Sequence, residues 1–115
     1  MIPSLNHGAA GLNLRATDKC PPIHPGEILA DDLEAIGMSA WKFAGHIGVP
    51  PTAISGLLKG KRRVDGAMAL RLGRVFGTSS EYWERLQANY ERKVALAELG
   101  PKLDAITPLV DSPAA

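Results

Sequence analysis

Cysteine is almost missing from this 115-residue chain: Cys20 alone cannot close an internal disulfide, and it has neither a CxxC partner nor a neighbouring histidine. No apolar run approaches the ~20 residues that cross a bilayer. The N-terminus lacks the basic start and apolar core of a signal peptide, so the expected location is the cytoplasm. Alternating β-branched residues are absent, as is any internal repeat, which argues against a sheet and against a solenoid. No nucleophile, base and orienting group recur at useful spacing, so an enzyme is not expected. Asp31 and Asp32 are adjacent and would diverge by about 100° on a helix, which is no arrangement for paired-carboxylate chemistry. The three histidines, His7, His24 and His46, have no second ligand at metal spacing, and neither a metal nor a cofactor is expected.

What is present suffices for one core. At 45% hydrophobic over 115 residues the chain supports a single small domain. The net charge of +1 conceals an uneven distribution. Lys59, Lys61, Arg62, Arg63, Arg71 and Arg74 face only Asp65 within their segment, whereas Glu27, Asp31, Asp32 and Glu34 stand together without a base. Two faces of opposite sign, suited to different partners, are the expected result.

Apolar spacing and capping residues divide the chain into five helices. Residues 1–22 carry scattered Gly, Asn, Ser and Pro without period and read as a flexible extension. His24-Pro25-Gly26-Glu27 opens the first helix, with His24 in a capping or turn role, a stripe of Ile28, Leu29, Leu33 and Ile36, and Gly37 at its end. Ser39 caps a second helix closed by Gly48, with Trp41, Phe43, Ala44 and Ile47 on its buried side. A third runs from about Pro51 to Leu58 and buries Ile54, Leu57 and Leu58. A fourth covers Gly66 to Phe76, and a fifth, capped by Thr78 or Ser79, reaches as far as Leu99 on a stripe of Trp83, Leu86, Tyr90, Val94 and Ala97. Tyr82 is placed at the surface or in a dimer contact. The domain is thus 23–99, followed by a frayed tail at 100–115.

The second and third helices are separated only by Gly48, Val49 and Pro50, too little chain for anything but a steep helix-turn-helix. A rod of eight residues is roughly 12 Å long, about the width of a DNA major groove. Facing outward on it are Thr52, Ala53, Ser55, Gly56 and Lys59. Thr52 and Ser55 can bond base edges or phosphates, and Ala53 can touch a thymine methyl; ordinary exposed polarity is the competing reading of both hydroxyls. Lys59, Lys61, Arg62 and Arg63 suit phosphates, which set affinity and orientation more than sequence preference.

Four stretches, HPGEIL at His24–Leu29, IGVPPTAISGLLKGKR at Ile47–Arg62, MALRLGRVFGTSSEYW at Met68–Trp83 and LQANYE at Leu86–Glu91, resemble the HigA (VapI-type) antitoxins of bacterial toxin–antitoxin modules. These belong to the lambda-repressor-like, Xre-type helix-turn-helix class. The resemblance covers about residues 23 to 91 and implies an all-α, five-helix DNA-binding fold, a homodimer on its own operator, and a RelE-like mRNA endoribonuclease toxin as partner. Ser39 joins the DNA-facing set at the start of the second helix. The chain departs from the pattern at Ala40, where Gln is common, at Pro50, where a polar cap is usual, and at Gly45, Pro51 and Gly56, where Arg or a polar residue is usual. Loss of the Gln removes a phosphate contact.

The expected function is therefore an antitoxin that represses its own operon, with the acidic residues Asp31, Asp32 and Glu34 and the N-terminal extension as candidate contacts for a basic toxin. Two alternatives stay open: a solitary Xre-type regulator without a toxin, and a toxin-binding module that has lost DNA binding through Ala40, Pro51 and Gly56.

Overall fold

The computed structural model describes residues 21–110. The flexible extension assigned to residues 1–22 therefore falls outside the described residues except at Pro21 and Pro22, as do His7 and Cys20. Five helices follow in order: α1 (Pro25–Ile36), α2 (Ala40–Ile47), α3 (Pro51–Leu58), α4 (Gly66–Phe76) and α5 (Ser80–Asp104).

Local chemistry explains the boundaries. Ser39 Oγ accepts from Lys42 N–H at 3.1 Å, Asp65 Oδ1 from Met68 N–H at 2.9 Å, and Ser79 Oγ from Tyr82 N–H at 3.2 Å, each satisfying an amide that its helix leaves orphaned. Of the two candidates for the α5 cap, Ser79 holds it. Thr78 instead accepts from the indole Nε1–H of Trp83 at 3.2 Å. Gly48 ends α2 at φ 78°, ψ 37°, a left-handed conformation that side chains resist, and Pro50 at ψ 145° starts α3 in extended backbone before Pro51.

The core is one cluster. Leu29 and Leu33 of α1, Phe43 and Ala44 of α2, Ile54 and Leu57 of α3, Met68, Leu72 and Phe76 of α4, and Trp83 of α5 are all buried. Phe43 stacks on Phe76 at 5.6 Å, and Phe76 meets Trp83 at 5.8 Å, so one aromatic column joins α2, α4 and α5.

Several expected positions are corrected. Trp41 is 74% exposed, not buried: the covered arc of α2 is Phe43, Ala44 and Ile47, and Trp41 lies at its flank. Ile36, at the end of α1 beyond the neighbouring helices, is exposed as well, and Ala97 points to solvent where α5 has outrun the core. Tyr82 is half-buried against Trp83, with ring centroids 5.4 Å apart. Burial, and secondarily the Asp32 carboxylate, pushes its phenol up to about 12. Regular helix in α5 stops at Gly100 (φ 27°, ψ −107°), as the Gly100-Pro101 pair suggests, but helix resumes through Asp104 rather than giving way to a frayed tail.

One backbone crossing sets how α1 sits on α3. A Cβ built on Gly26 would lie 1.8 Å from the carbonyl oxygen of Leu57, so the first turn of α1 rests directly on the last turn of α3. Gly26→Ala should therefore cost about 3 kcal/mol through forced displacement of backbone. Gly45→Ala, at an exposed helical site whose Cβ meets nothing within 4 Å, should be neutral or stabilise by up to about 1 kcal/mol. Urea unfolding of the two variants checks the contrast.

Candidate nucleic-acid interface

The outward side of α3 comprises Thr52, Ser55, Gly56 and Lys59, spaced by three and four residues. Thr52 and Lys59 are exposed, and Ser55 is half-exposed with its hydroxyl donating to Thr52 O at 3.3 Å. Ala53 does not belong to this set. It is 1% exposed, because it stands four residues before Leu57 and shares that residue's buried face. A thymine-methyl contact from Ala53 is therefore excluded.

Gly56 leaves a bare strip on α3 that the following loop partly fills. Lys61 N–H donates to Gly56 O at 2.9 Å, and a Cβ on Gly56 would lie 3.5 Å from Arg62 Cβ. The aliphatic stem of Arg62 thus runs over the bare position at Gly56. Its guanidinium remains at the surface, as does Lys61. On α2 the capping Ser39 is exposed together with Trp41 and Lys42, neither of which the charge pattern had singled out.

Arg63 behaves differently from its neighbours. Its Nε–H donates to Glu91 Oε2 at 2.9 Å and its Nη2–H to Oε1 at 3.4 Å. The hydrogen bond and charge of Glu91 raise the Arg63 pKa, and the Arg63 hydrogen bond, helped by Gln87, holds Glu91 below its usual value. Arg63 is thus tied to α5, while Lys59, Lys61 and Arg62 have no acidic partner among the described residues.

Two residues outside the motif hold this loop. Gln87, 2% exposed, accepts from Val64 N–H through Oε1 at 2.8 Å and donates through Nε2 to Glu91 Oε2 at 3.1 Å. A polar residue four places after Trp83 on the buried stripe of α5 was the available signal. His24 is the second. Its Nδ1 accepts from Gly26 N–H at 2.9 Å while Glu27 Oε2 accepts from His24 N–H at 3.2 Å, closing a reciprocal capping box. The same ring lies edge-on to Tyr90 at 4.8 Å and approaches Gly60 in the loop that leaves α3. Capping was expected of His24; its grip on the basic loop was not.

The acidic side is also smaller than expected. Asp32 is fully buried on the Leu29–Leu33 face near Tyr82, which leaves Glu27, Asp31 and Glu34 exposed on α1. Asp32 is therefore withdrawn as a surface contact. Among the described residues no group of His, Cys, Asp and Glu could hold a metal ion, and no helix is long and apolar enough to cross a membrane.

Comparison with known proteins agrees with this geometry. A helix-turn-helix family profile matches residues 29–83. An addiction-module antidote protein of the HigA family from Coxiella burnetii is 42% identical and superposes with a TM-score of 0.76 over 77% of this chain and 99% of its own. The Pseudomonas aeruginosa antitoxin HigA, solved with higBA promoter, is 36% identical with a TM-score of 0.74, covering 77% and 99% of the two chains. Virulence-associated protein I of Dichelobacter nodosus is 37% identical over 79 residues, 68% of this chain and 73% of that relative.

Burial lowers the His24 pKa, against the opposing pull of the Glu27 carboxylate and the Arg62 backbone. Only the neutral ring can accept at Nδ1, so the stability it contributes is complete above the ordinary histidine value of about 6.5 and is lost as pH falls through the lower folded value. His24→Ala should cost about 1 kcal/mol at pH 7.5. The native chain should lose melting temperature as pH falls below about 6.5, and His24→Asn, which keeps a cap acceptor but cannot titrate, should flatten that fall. Thermal unfolding across that range measures both.

Proposed function

Because the chain belongs to the HigA (VapI-type) family of helix-turn-helix proteins, we propose that it is an antitoxin that binds the operator of its own operon as a homodimer and neutralises a RelE-like mRNA endoribonuclease toxin. The observation that carries the DNA reading is the bare outer strip of α3, flanked by Lys59, Lys61 and Arg62, none of which has an acidic partner among the described residues. The Pseudomonas relative solved with promoter DNA supports it.

The division of labour follows from the side chains. Lys59, Lys61 and Arg62 neutralise phosphates, and Ser39 and Lys42 offer a hydroxyl and an ammonium at the start of α2. Thr52 and Ser55 are the sequence-reading groups. Neither is a bidentate reader, and a good bidentate pair is worth about 1–3 kcal/mol of discrimination, so each half-site contributes modest selectivity. Two half-sites about 34 Å apart multiply it. Glu27, Asp31 and Glu34 form the acidic patch offered to a basic toxin.

Fluorescence anisotropy with the chain's own promoter, across a salt series, tests the DNA half. The double variant Lys61→Ala/Arg62→Ala should bind every duplex more weakly and flatten the slope of log affinity against log salt by about 4 for the dimer, about 2 per half-site. Thr52→Ala should instead change the preference among operator variants. Trp83 is buried and Trp41 exposed, so acrylamide quenching reports on Trp41; shielding by operator would put the start of α2 at the duplex. No salt-dependent binding would leave a module that serves protein contact alone.

For the toxin half, Asp31→Lys/Glu34→Lys should weaken co-purification with the product of the adjacent open reading frame by about tenfold or more while leaving operator affinity intact. Equal recovery of native and variant complexes would move the toxin off α1.

A further inference from the structure

Arg63 and Val64 are neighbours in the chain, and α5 takes hold of both. Val64 N–H donates to Gln87 Oε1 at 2.8 Å, Gln87 Nε2–H to Glu91 Oε2 at 3.1 Å, and Arg63 Nε–H to that same Glu91 oxygen at 2.9 Å. Gln87 and Glu91 stand four residues apart, one turn along α5, so the two side chains close a ring with the Arg63–Val64 step. Only one orientation of the Gln87 amide fits this ring. Turned over, its amino group would face the Val64 N–H and its carbonyl the Glu91 carboxylate, donor against donor and acceptor against acceptor.

The ring is the far anchor of the basic loop. At the near end, Lys61 N–H donates to Gly56 O at 2.9 Å and so stays with the last turn of α3. Beyond the ring the chain is committed again, because Val64 is buried in the core and Asp65 caps α4. Lys61 and Arg62 therefore take their direction from α3 on one side and from Gln87 on the other. Gln87 is itself buried, so no ligand lying on α3 can touch it.

Removing the Gln87 amide would act on the loop in two ways. The buried Val64 N–H would lose its acceptor, a cost relieved only by moving this backbone toward water. Glu91 would lose the donor that orients it, and with it the fixed seat of Arg63. Arg62 precedes the step that would move, so it would no longer be held over Gly56.

We propose that Gln87 is a positioning residue for DNA binding: holding Val64 N–H directly and Arg63 through Glu91, it aims Lys61 and Arg62 along the outer strip of α3 and removes the cost of ordering them from the binding step. The inference rests on the reading of α3 and its loop as the DNA contact. It adds to that contact a determinant of affinity on α5, a helix that contributes no side chain to the outer strip.

Operator affinity over a salt series tests it, measured on variants that circular dichroism shows to be folded at the assay temperature. Gln87→Met occupies a similar volume without either hydrogen bond. It should weaken binding about tenfold at fixed salt and leave the slope of log affinity against log salt unchanged, since every phosphate-binding cation is still present. A Gln87 that served stability alone would lower the melting temperature and leave the affinity of the folded chain as it was. Gln87→Glu sets a second carboxylate against Glu91 and should weaken binding as well. The exchange Gln87→Glu/Glu91→Gln restores an acceptor for Val64 N–H, a donor between the two side chains and an acceptor for Arg63, and should recover most of the loss. Native affinity in folded Gln87→Met, a slope that flattens with it, or an exchange no better than Gln87→Glu alone would overturn the assignment. Absence of salt-dependent binding by the native chain would remove the DNA reading and this inference together, whereas equal, tight binding by the native chain and Gln87→Met removes the inference alone.

Discussion

The contact on which the arrangement depends is the crossing of α1 over the end of α3, where Gly26 lies against the Leu57 carbonyl. Any side chain there would hold the two backbones apart. His24 exploits the proximity: one ring nitrogen caps α1 and the ring itself reaches the loop that leaves α3, so a single residue joins the start of the domain to its basic loop. Two elements far apart in sequence are locked at the point where the candidate recognition helix ends. A cap alone would need only Ser or Asp; the imidazole is long enough to cap and to reach the loop.

The loop is held from its other side by α5. Gln87 takes the amide of Val64 and steadies Glu91, which in turn takes Arg63. The exposed Arg63–Glu91 pair adds little to stability in water. Its consequence is positional, because it assigns one cation to structure and leaves Lys59, Lys61 and Arg62 without an acidic partner among the described residues. A loop clamped at both ends presents these charges without a large ordering cost on binding. Arg62 lying over Gly56 gives the bare side of α3 a cation that α3 itself does not encode.

Opposite charges are carried by different elements. The α3 loop is basic, and the exposed acids Glu27, Asp31 and Glu34 lie on α1. Such a separation allows two partners of opposite charge to be held without competing for the same side chains. The burial of Asp32 near Tyr82 narrows the acidic patch; burial first, and the Asp32 charge second, push the Tyr82 phenol up to about 12.

By itself the sequence determined the five helices, nearly all of their ends and the helix-turn-helix, because caps, left-handed glycines and N1 prolines act over three or four residues and leave their signature in order along the chain. The end of α5 escaped it in part, since helix resumes past Gly100. It also located the cluster of cations, though not which of them would be free. Only the tertiary structure decided which arc of each helix is covered. Ala53 and Asp32 turned inward and Trp41 outward because burial depends on where neighbouring helices lie, and periodicity fixes angles around one axis without saying what stands beside it. Arg63 was claimed by Glu91, 28 residues further along, and His24 met Tyr90 for the same reason: such pairs exist only once separate helices have packed.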